Sequence, residues 1–273
     1  MANTHHGFAE SRQTRSCRHN LEDCSYTSEE ILACTQARMF LEREGTVQMT
    51  PAQAQALGRW FNMQDKHGWF LPREEEKERI REYFRTFDDF FFFGLLRSRT
   101  VLGSYEDLTN EMGYTDVTSR QYCRMADVML NLRRNCSNES DERRFERVIG
   151  TVLHEQLHAF IDILCCDCPH CVPDLRESIG RWGHRLDGHG WLWSTLALRI
   201  EQICATTFPF VFELGISDNI TLQDFDVLLR LQRSDVLTRI VRFGHGDPRE
   251  PYTILEEDIE MVRGELYRGA RRE

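Results

Sequence analysis

The stretch from Val148 to Cys171, VIGTVLHEQLHAFIDILCCDCPHC, constrains the fold more than any other part of the chain. It lies in a segment that begins near Ser140, in which apolar residues recur at the 3.6-residue spacing of an amphipathic helix. His154 and His158 are four residues apart, so a helix places both imidazoles on one face, one turn apart. The pattern predicts a buried helix that directs two histidines inward.

Two histidines at this spacing, with a glutamate between them, are typical of a catalytic zinc site. Glu155 is rotated by about 100° from His154 on a helix, so it can act beside the metal instead of binding it. Zinc lowers the pKa of bound water to about 7, and a nearby carboxylate can accept the proton and pass it to a leaving amine. Such a short pattern also arises by chance, but the apolar stripe around it favours a metal site.

A catalytic zinc site needs a third protein ligand and an open position, and three candidates lie downstream. Glu177 follows His158 by 19 residues, near the spacing of glutamate-ligand zinc aminopeptidases, but its surroundings LRESIG lack the motif of that group. His184 lies in the connecting segment RWGHRL. His189, in LDGHGWLW, is favoured because two flanking glycines allow a tight turn and because it opens a predicted helix.

The chain resembles the SprT-like (Spartan-like) zinc metallopeptidase family in several motifs. These are HEQLHAF at 154–160, GHGxxW at 188–193, a following helix that ends in RIE, and the Phe-rich stretch FDDFFFFGLL. The resemblance covers about residues 70–204. It implies an α+β, zincin-like metallopeptidase domain, mostly helical, with a small antiparallel sheet packed on the HExxH helix. It also implies that His154, His158 and His189 bind one catalytic Zn²⁺ and that Glu155 is the general base.

The implied function is a zinc-dependent endopeptidase acting on protein substrates, which for eukaryotic members of the family are proteins crosslinked to DNA. Thirty residues separate His158 from His189, more than in those members, and neither a zinc ribbon of paired CxxC motifs nor a ubiquitin-binding finger follows. The net charge of -10 disfavours DNA binding as the sole function, so nucleic acid is a partner by family analogy alone. The competing hypothesis is a non-catalytic, zinc-stabilised module that binds a protein partner.

The ten cysteines are expected to be reduced. The N-terminus lacks an apolar run of signal-peptide length, and no stretch reaches membrane-spanning length. We therefore expect an intracellular protein, nuclear or cytoplasmic, with no membrane partner and with thiols that bind metal or pack in the core.

A second zinc site is one of two interpretations of the cysteines after the histidine motif. Cys165, Cys168 and Cys171 follow a CxxCxxC spacing, and a donor such as Cys204 or His184 could complete a structural site. The alternative is a reduced, partly buried cysteine turn. The sequence leaves both open.

Four regions are predicted along the chain: a disordered tail over 1–27, a helical extension over 28–69, the metallopeptidase domain over 70–204, and a C-terminal helical region over 205–273 whose role the sequence does not indicate. Helices are predicted after the cap Ser28, at Pro51 with Thr50 as cap, and over 72–93, 140–166, 189–204, 221–233 and 254–270. Strands are predicted over 100–108, 113–123 and 126–132. The phenylalanines of 87–93 are interpreted as core.

Overall fold

The computed structural model describes residues 26–39, 42–43, 46–47, 49–67, 75–105, 112–120, 123–132, 140–166, 181–182, 185–186, 189–208, 212 and 214–215. In these ranges the fold is α+β. The helices are α1 (Ser28–Met39), α2 (Pro51–His67), α3 (Glu76–Phe91), α4 (Asp141–Leu164) and α5 (Trp191–Thr207). The strands are β1 (Glu42–Arg43), β2 (Thr46–Val47), β3 (Thr100–Tyr105), β4 (Gly113–Arg120), β5 (Cys123–Asn131), β6 (Arg181–Trp182) and β7 (Arg185–Leu186).

Residues 1–25 and the predicted helices at 221–233 and 254–270 lie outside the described residues. The domain boundaries at 28, 70 and 204 stay predictions. Side chains from α1 to α5, together with Phe208, Phe212 and Leu214, contribute to one hydrophobic core. No helix in the described ranges has both the length and the apolar character that a membrane crossing requires.

The helix starts show why the sequence signals were informative. Pro51 opens α2 behind a capping box, in which the Gln53 N–H donates to Thr50 Oγ1 (3.2 Å) and the Thr50 N–H donates to Gln53 Oε1 (2.9 Å). At the start of α4, the Ser140 hydroxyl accepts from the Arg143 N–H at 3.2 Å. The predicted cap Thr50 is confirmed, and Ser140, where the helical segment was predicted to start, also caps its helix.

The predicted cap of α1 is displaced by one residue. Thr27, not Ser28, caps the helix, because the Glu30 N–H donates to Thr27 Oγ1 (3.2 Å) while the Thr27 N–H donates to Glu30 Oε2 (2.8 Å). The reason is the spacing of the capping box, which needs a glutamate three residues after the cap. Just before it, Tyr26 pairs in parallel with Cys165 after the end of α4.

The three-stranded sheet is mixed, so the predicted all-antiparallel sheet is wrong. Its strand order is β3-β5-β4, with β4 antiparallel to β5 and β3 parallel to β5. β4 and β5 are separated by only two residues, which favours an antiparallel hairpin. Ala126, Val128 and Leu130 make β5 the most buried strand, so it takes the centre and β3 joins its second edge.

One face of this sheet packs on α4. Thr115 of β4 pairs with Val128 of β5, and paired residues point to the same face. Thr115 contacts Glu155 of α4, so the buried side chains of β5 lie against the same helix. At the far end, the Arg124 guanidinium donates to the Asp162 carbonyl at 2.8 Å and thereby ties β5 to the last turn of α4.

The Phe-rich run lies in the core, as predicted. Its first phenylalanine, Phe87, belongs to what we call the aromatic cluster: Trp60, Phe87, Phe145, Phe208 and Phe212. The Trp60 ring is fully buried, with ring centroids 5.6 Å from Phe87, 4.9 Å from Phe208 and 5.9 Å from Phe212. The two last contacts are edge-on, an arrangement that aromatic pairs prefer. This cluster packs α2 and α3 against the chain that follows α5.

The cysteines differ from the expectation that all ten are reduced. Cys34 of α1 forms a disulfide, while Cys165, Cys166 and Cys204 are free thiols. Sequence spacing does not reveal which cysteines meet in a fold, so no signal separated Cys34 from the others.

Candidate metal centre

Two histidines of α4 and one histidine just before α5 meet at one point. His154 and His158 lie one turn apart on α4, and His189 directly precedes the N-terminal cap of α5, Gly190. Their Nε2 atoms form a triangle in which each of the three separations is 3.1 Å. Of the predicted candidates for the third position, His189 is thus the one that the structure brings to the α4 histidines. Glu177 and His184 lie outside the described residues.

The spacing of these nitrogens fits a metal ion. Zinc binds histidine nitrogen at about 2.0–2.1 Å, so one ion can contact three nitrogens that lie 3.1 Å apart. The chemistry of the donors agrees, because His154 Nδ1 lies 2.8 Å from the Leu214 carbonyl and must donate its proton there. His154 Nε2 therefore carries a lone pair that points at the other two imidazoles. A cation satisfies this convergence of ring nitrogens.

Burial keeps the His154 imidazole neutral, the form that binds metal. Loss of hydration lowers the pKa of His154 to about 4, and the hydrogen bond to Leu214 only partly opposes this. His154 is thus a neutral donor at physiological pH.

Trp193 holds the three rings in place. Its fully buried indole lies with ring centroids 4.9 Å from His154, 5.3 Å from His158 and 4.4 Å from His189. The contact with His158 is stacked, with an interplanar angle of 22°. Below it, the Ser194 hydroxyl donates to the His189 carbonyl at 3.0 Å and fixes the backbone of the third ligand. The tryptophan of GHGxxW is therefore the wall against which the triad is packed.

Glu155 is the second buried ionisable group at this centre. Its side chain is 5% exposed and lies between the two α4 histidines in sequence. The Thr115 hydroxyl lies 2.8 Å from Glu155 Oε2 and 3.0 Å from the Glu155 backbone oxygen, which sets the rotation of the carboxylate. The sequence contained no signal for Thr115, which precedes Glu155 by 40 residues and reaches it only through the sheet.

Gly113 gives Glu155 the room it occupies. A Cβ at this position would lie 3.1 Å from Glu155 Oε1 and 3.0 Å from the Met129 carbonyl, both tight contacts. The two neighbours of Glu155 on β4, Gly113 and Thr115, are two residues apart and so face α4 together. The start of β4 is thus built around the carboxylate.

The cysteine cluster is described only at its beginning. Cys165 is buried and Cys166 half-buried, whereas Cys168 and Cys171 lie outside the described residues. Within the described ranges, the group of side chains close enough to share a metal ion is the histidine triad. Cys204 is buried in α5, where burial raises the pKa of its thiol well above the usual value and the Glu201 carboxylate raises it further. The second zinc site stays a prediction.

Comparison with protein-family models, with curated proteins and with solved structures finds no match to this chain. The likeness to SprT-like metallopeptidases therefore depends on the motif residues alone.

Proposed function

We propose that the protein is a zinc-dependent endopeptidase of the SprT-like type. The observation that carries the proposal is the meeting of three histidine Nε2 atoms, 3.1 Å from one another, beside a buried glutamate of α4. His154, His158 and His189 would hold one zinc ion. Among the described residues the group has three members, the number that catalytic zinc sites use.

Zinc, when bound, would polarise a substrate carbonyl and lower the pKa of a water molecule at the site. Glu155 then has the general base and general acid role: its carboxylate accepts a proton from the attacking water and delivers it to the departing peptide nitrogen. Thr115 holds Oε2 of that carboxylate so that its orientation is set before substrate arrives. A structural zinc site would have no use for a buried carboxylate at this place.

The sheet supports a peptide as substrate. β4 is the last strand in the order β3-β5-β4, so within the described residues its second edge has no neighbouring strand. An extended peptide can add to such an edge through main-chain hydrogen bonds. Because Gly113 and Thr115 of β4 contact Glu155, a peptide on that edge would lie beside the proposed base.

The test compares Glu155→Gln with wild type and with Glu146→Gln, a control on the same helix about two turns before the motif. Each protein is loaded with zinc, its metal content is measured, and cleavage of denatured casein is followed. We expect all three to bind zinc equally and Glu155→Gln to cleave at least about 100-fold more slowly, as befits loss of a general base. Wild-type cleavage by Glu155→Gln would refute the proposal, and an inactive wild type with normal zinc would favour the non-catalytic module.

The resemblance further supports DNA- or chromatin-associated proteins as substrates, with a nuclear location. The net charge of -10 opposes attraction of the whole surface to nucleic acid, so recognition would rest on the protein part of the substrate. Cleavage of one protein, free and crosslinked to single-stranded DNA, tests this. A faster rate for the crosslinked form is expected, and equal rates would remove DNA from the proposal.

A further inference from the structure

Leu214 connects the metal centre to a buried carboxylate on α5. Its carbonyl accepts from His154 Nδ1 at 2.8 Å. Its N–H donates to Glu201 Oε1 at 2.7 Å. Both groups belong to one residue, so the carboxylate that anchors the N–H also sets where the carbonyl lies.

Glu201 is poorly placed for any role in solvent. It is 5% exposed and lies in α5, eight residues after Trp193, which places it two turns along the same face of the helix. A buried carboxylate is costly unless it is hydrogen-bonded, and a charged acceptor makes a stronger hydrogen bond than a neutral one. The described bond from the Leu214 N–H is of that kind.

The chain around Leu214 needs such an anchor. Leu214 follows the end of α5 by seven residues and lies outside helix and strand, so no helical or sheet hydrogen bond holds its backbone. Phe212 packs its ring on Trp60 and Phe87, which fixes the Phe212 side chain but not the orientation of the Leu214 carbonyl. The Glu201 bond supplies the orientation.

We infer that Glu201 is a positioning residue for the metal centre: it holds Leu214 so that the Leu214 carbonyl fixes the tautomer and ring orientation of His154. The arrangement is a carboxylate–residue–histidine chain, in which α5 supports the triad twice, directly through Trp193 and indirectly through Glu201. Partners that orient a metal-binding histidine contribute about 10-fold to 100-fold in metal affinity. The inference rests on the proposed function only in that the triad binds zinc.

The test measures zinc affinity, by competition with a chelator, for wild type, Glu201→Ala, Glu201→Gln and Ile203→Ala. Glu201→Ala removes the acceptor, and we expect it to lower the affinity about 10-fold. Glu201→Gln keeps an oxygen that accepts from the Leu214 N–H, so it should retain affinity to within about three-fold, since only a neutral acceptor replaces a charged one. Ile203→Ala, a buried change on the same helix, controls for general damage to α5 and should bind zinc like wild type.

A second readout follows His154 itself by ¹⁵N NMR of the zinc-loaded proteins. The Nδ1 proton of His154 should exchange with water faster in Glu201→Ala than in wild type, with no such change in Ile203→Ala. Wild-type zinc affinity in folded Glu201→Ala, or an equal loss in Ile203→Ala, would overturn the inference.

Glu201→Asp decides the matter if Glu201→Ala does not fold. It keeps the charge but shortens the side chain by one methylene, so the carboxylate no longer reaches the Leu214 N–H. Lower affinity in Glu201→Asp than in Glu201→Gln supports the inference, and wild-type affinity overturns it. The proposed function can fail separately from this inference. If zinc affinity depends on Glu201 but the protein has no peptidase activity, the positioning role stands and the proposed function fails. If the protein is an active peptidase whose zinc affinity does not depend on Glu201, the proposed function stands and the positioning role fails.

Discussion

The aromatic cluster is buried in the core, and the candidate metal centre has three half-buried histidines beside the same core, but the two regions are built in opposite ways. Around Trp60 and Phe87, apolar rings contact apolar rings, and the polar group nearest in sequence, Asp88, accepts from the backbone N–H groups of Leu96 (3.0 Å) and Arg97 (2.9 Å). At the metal centre, three imidazoles direct their nitrogens at one another beside the Glu155 carboxylate.

The difference teaches how a structural buried polar group is distinguished from a functional one. Asp88 holds together the loop that ends α3, where Phe93 and Gly94 adopt left-handed backbone conformations with φ of 60° and 74°. The Asp88 carboxylate accepts hydrogen bonds from the backbone of this loop and needs no ligand. The three histidines of the triad do not satisfy one another in this way. Their converging nitrogen lone pairs repel unless a cation lies between them. Changes in the two regions should therefore separate stability from metal binding.

The largest effect is expected from Phe87→Ala, which empties the centre of the aromatic cluster. Removing a fully buried phenylalanine costs about 3–5 kcal/mol in the free energy of unfolding. Urea denaturation measures it, with Phe61→Ala, 43% exposed on α2, as a control that should change stability by less than about 0.5 kcal/mol. The folded fraction of Phe87→Ala should bind zinc like wild type. Lost zinc affinity in that fraction would show that the two regions are not separable.

Asp88 should give the structural region a pH dependence. Burial raises its pKa to about 6, and the N–H donors of Leu96 and Arg97 only partly offset this. The folded state therefore binds the proton more tightly than the unfolded state, so the stabilisation is complete below about pH 4 and is lost as the pH rises to about 6. Because one pKa unit corresponds to about 1.4 kcal/mol, the loss is about 3 kcal/mol.

Urea denaturation of metal-free wild type and Asp88→Asn from pH 4 to pH 7 measures this loss. Taking the difference between the two proteins cancels the titration of groups that they share. The free energy of unfolding of wild type should fall relative to that of Asp88→Asn as the pH rises. A constant difference would mean that the two backbone donors keep the carboxylate ionised throughout.

His189→Ala should have the converse effect to Phe87→Ala. Loss of a ligand should lower zinc affinity by about 100-fold or more, since even outer-shell partners are worth up to about that factor, and should leave the aromatic cluster folded. Elemental analysis of protein prepared without added metal measures zinc per chain, with Gln202→Ala, exposed on α5, as the control. If wild type holds about one zinc per chain and the variant loses it, His189 is the third ligand. If wild type holds about two zinc ions per chain and the variant about one, the predicted cysteine site also binds zinc. Zinc retained in full would remove His189 from the centre.

The smallest effect is expected from Gly113→Ala, which crowds Glu155 without touching the triad. The added methyl group would meet Glu155 Oε1 at 3.1 Å, so the carboxylate must move by a few tenths of an ångström. We expect casein cleavage to fall by about ten-fold with zinc content unchanged, since small misplacements of a catalytic group are costly. Gly58→Ala on α2 is the matched control, because no atom lies within 4 Å of its added Cβ. Equal activity of the two alanine variants would separate Gly113 from the site.

The elements of the fold were largely predictable from local patterns. The cap Thr50 predicted α2, and the apolar stripe after Ser140 predicted α4. Runs of β-branched and aromatic residues predicted β3, β4 and β5 within a few residues, whereas the two-residue strands β1, β2, β6 and β7 were not predicted. The order β3-β5-β4 was not predictable, because the burial of β5 against α4 decides which strand takes the centre. The disulfide of Cys34 and the hydrogen bond from Thr115 to Glu155 likewise depend on residues distant in sequence.

The sequence by itself determined that His154 and His158 share a helix face with Glu155 between them, because helical periodicity acts over four residues. It also favoured His189, through the glycines that allow a tight turn. Only the tertiary structure decided that Thr115 and Gly113 contact the Glu155 carboxylate. It also decided that Leu214 hydrogen-bonds both His154 and Glu201. Such contacts form when the chain packs, and their energies depend on three-dimensional separation instead of position along the sequence.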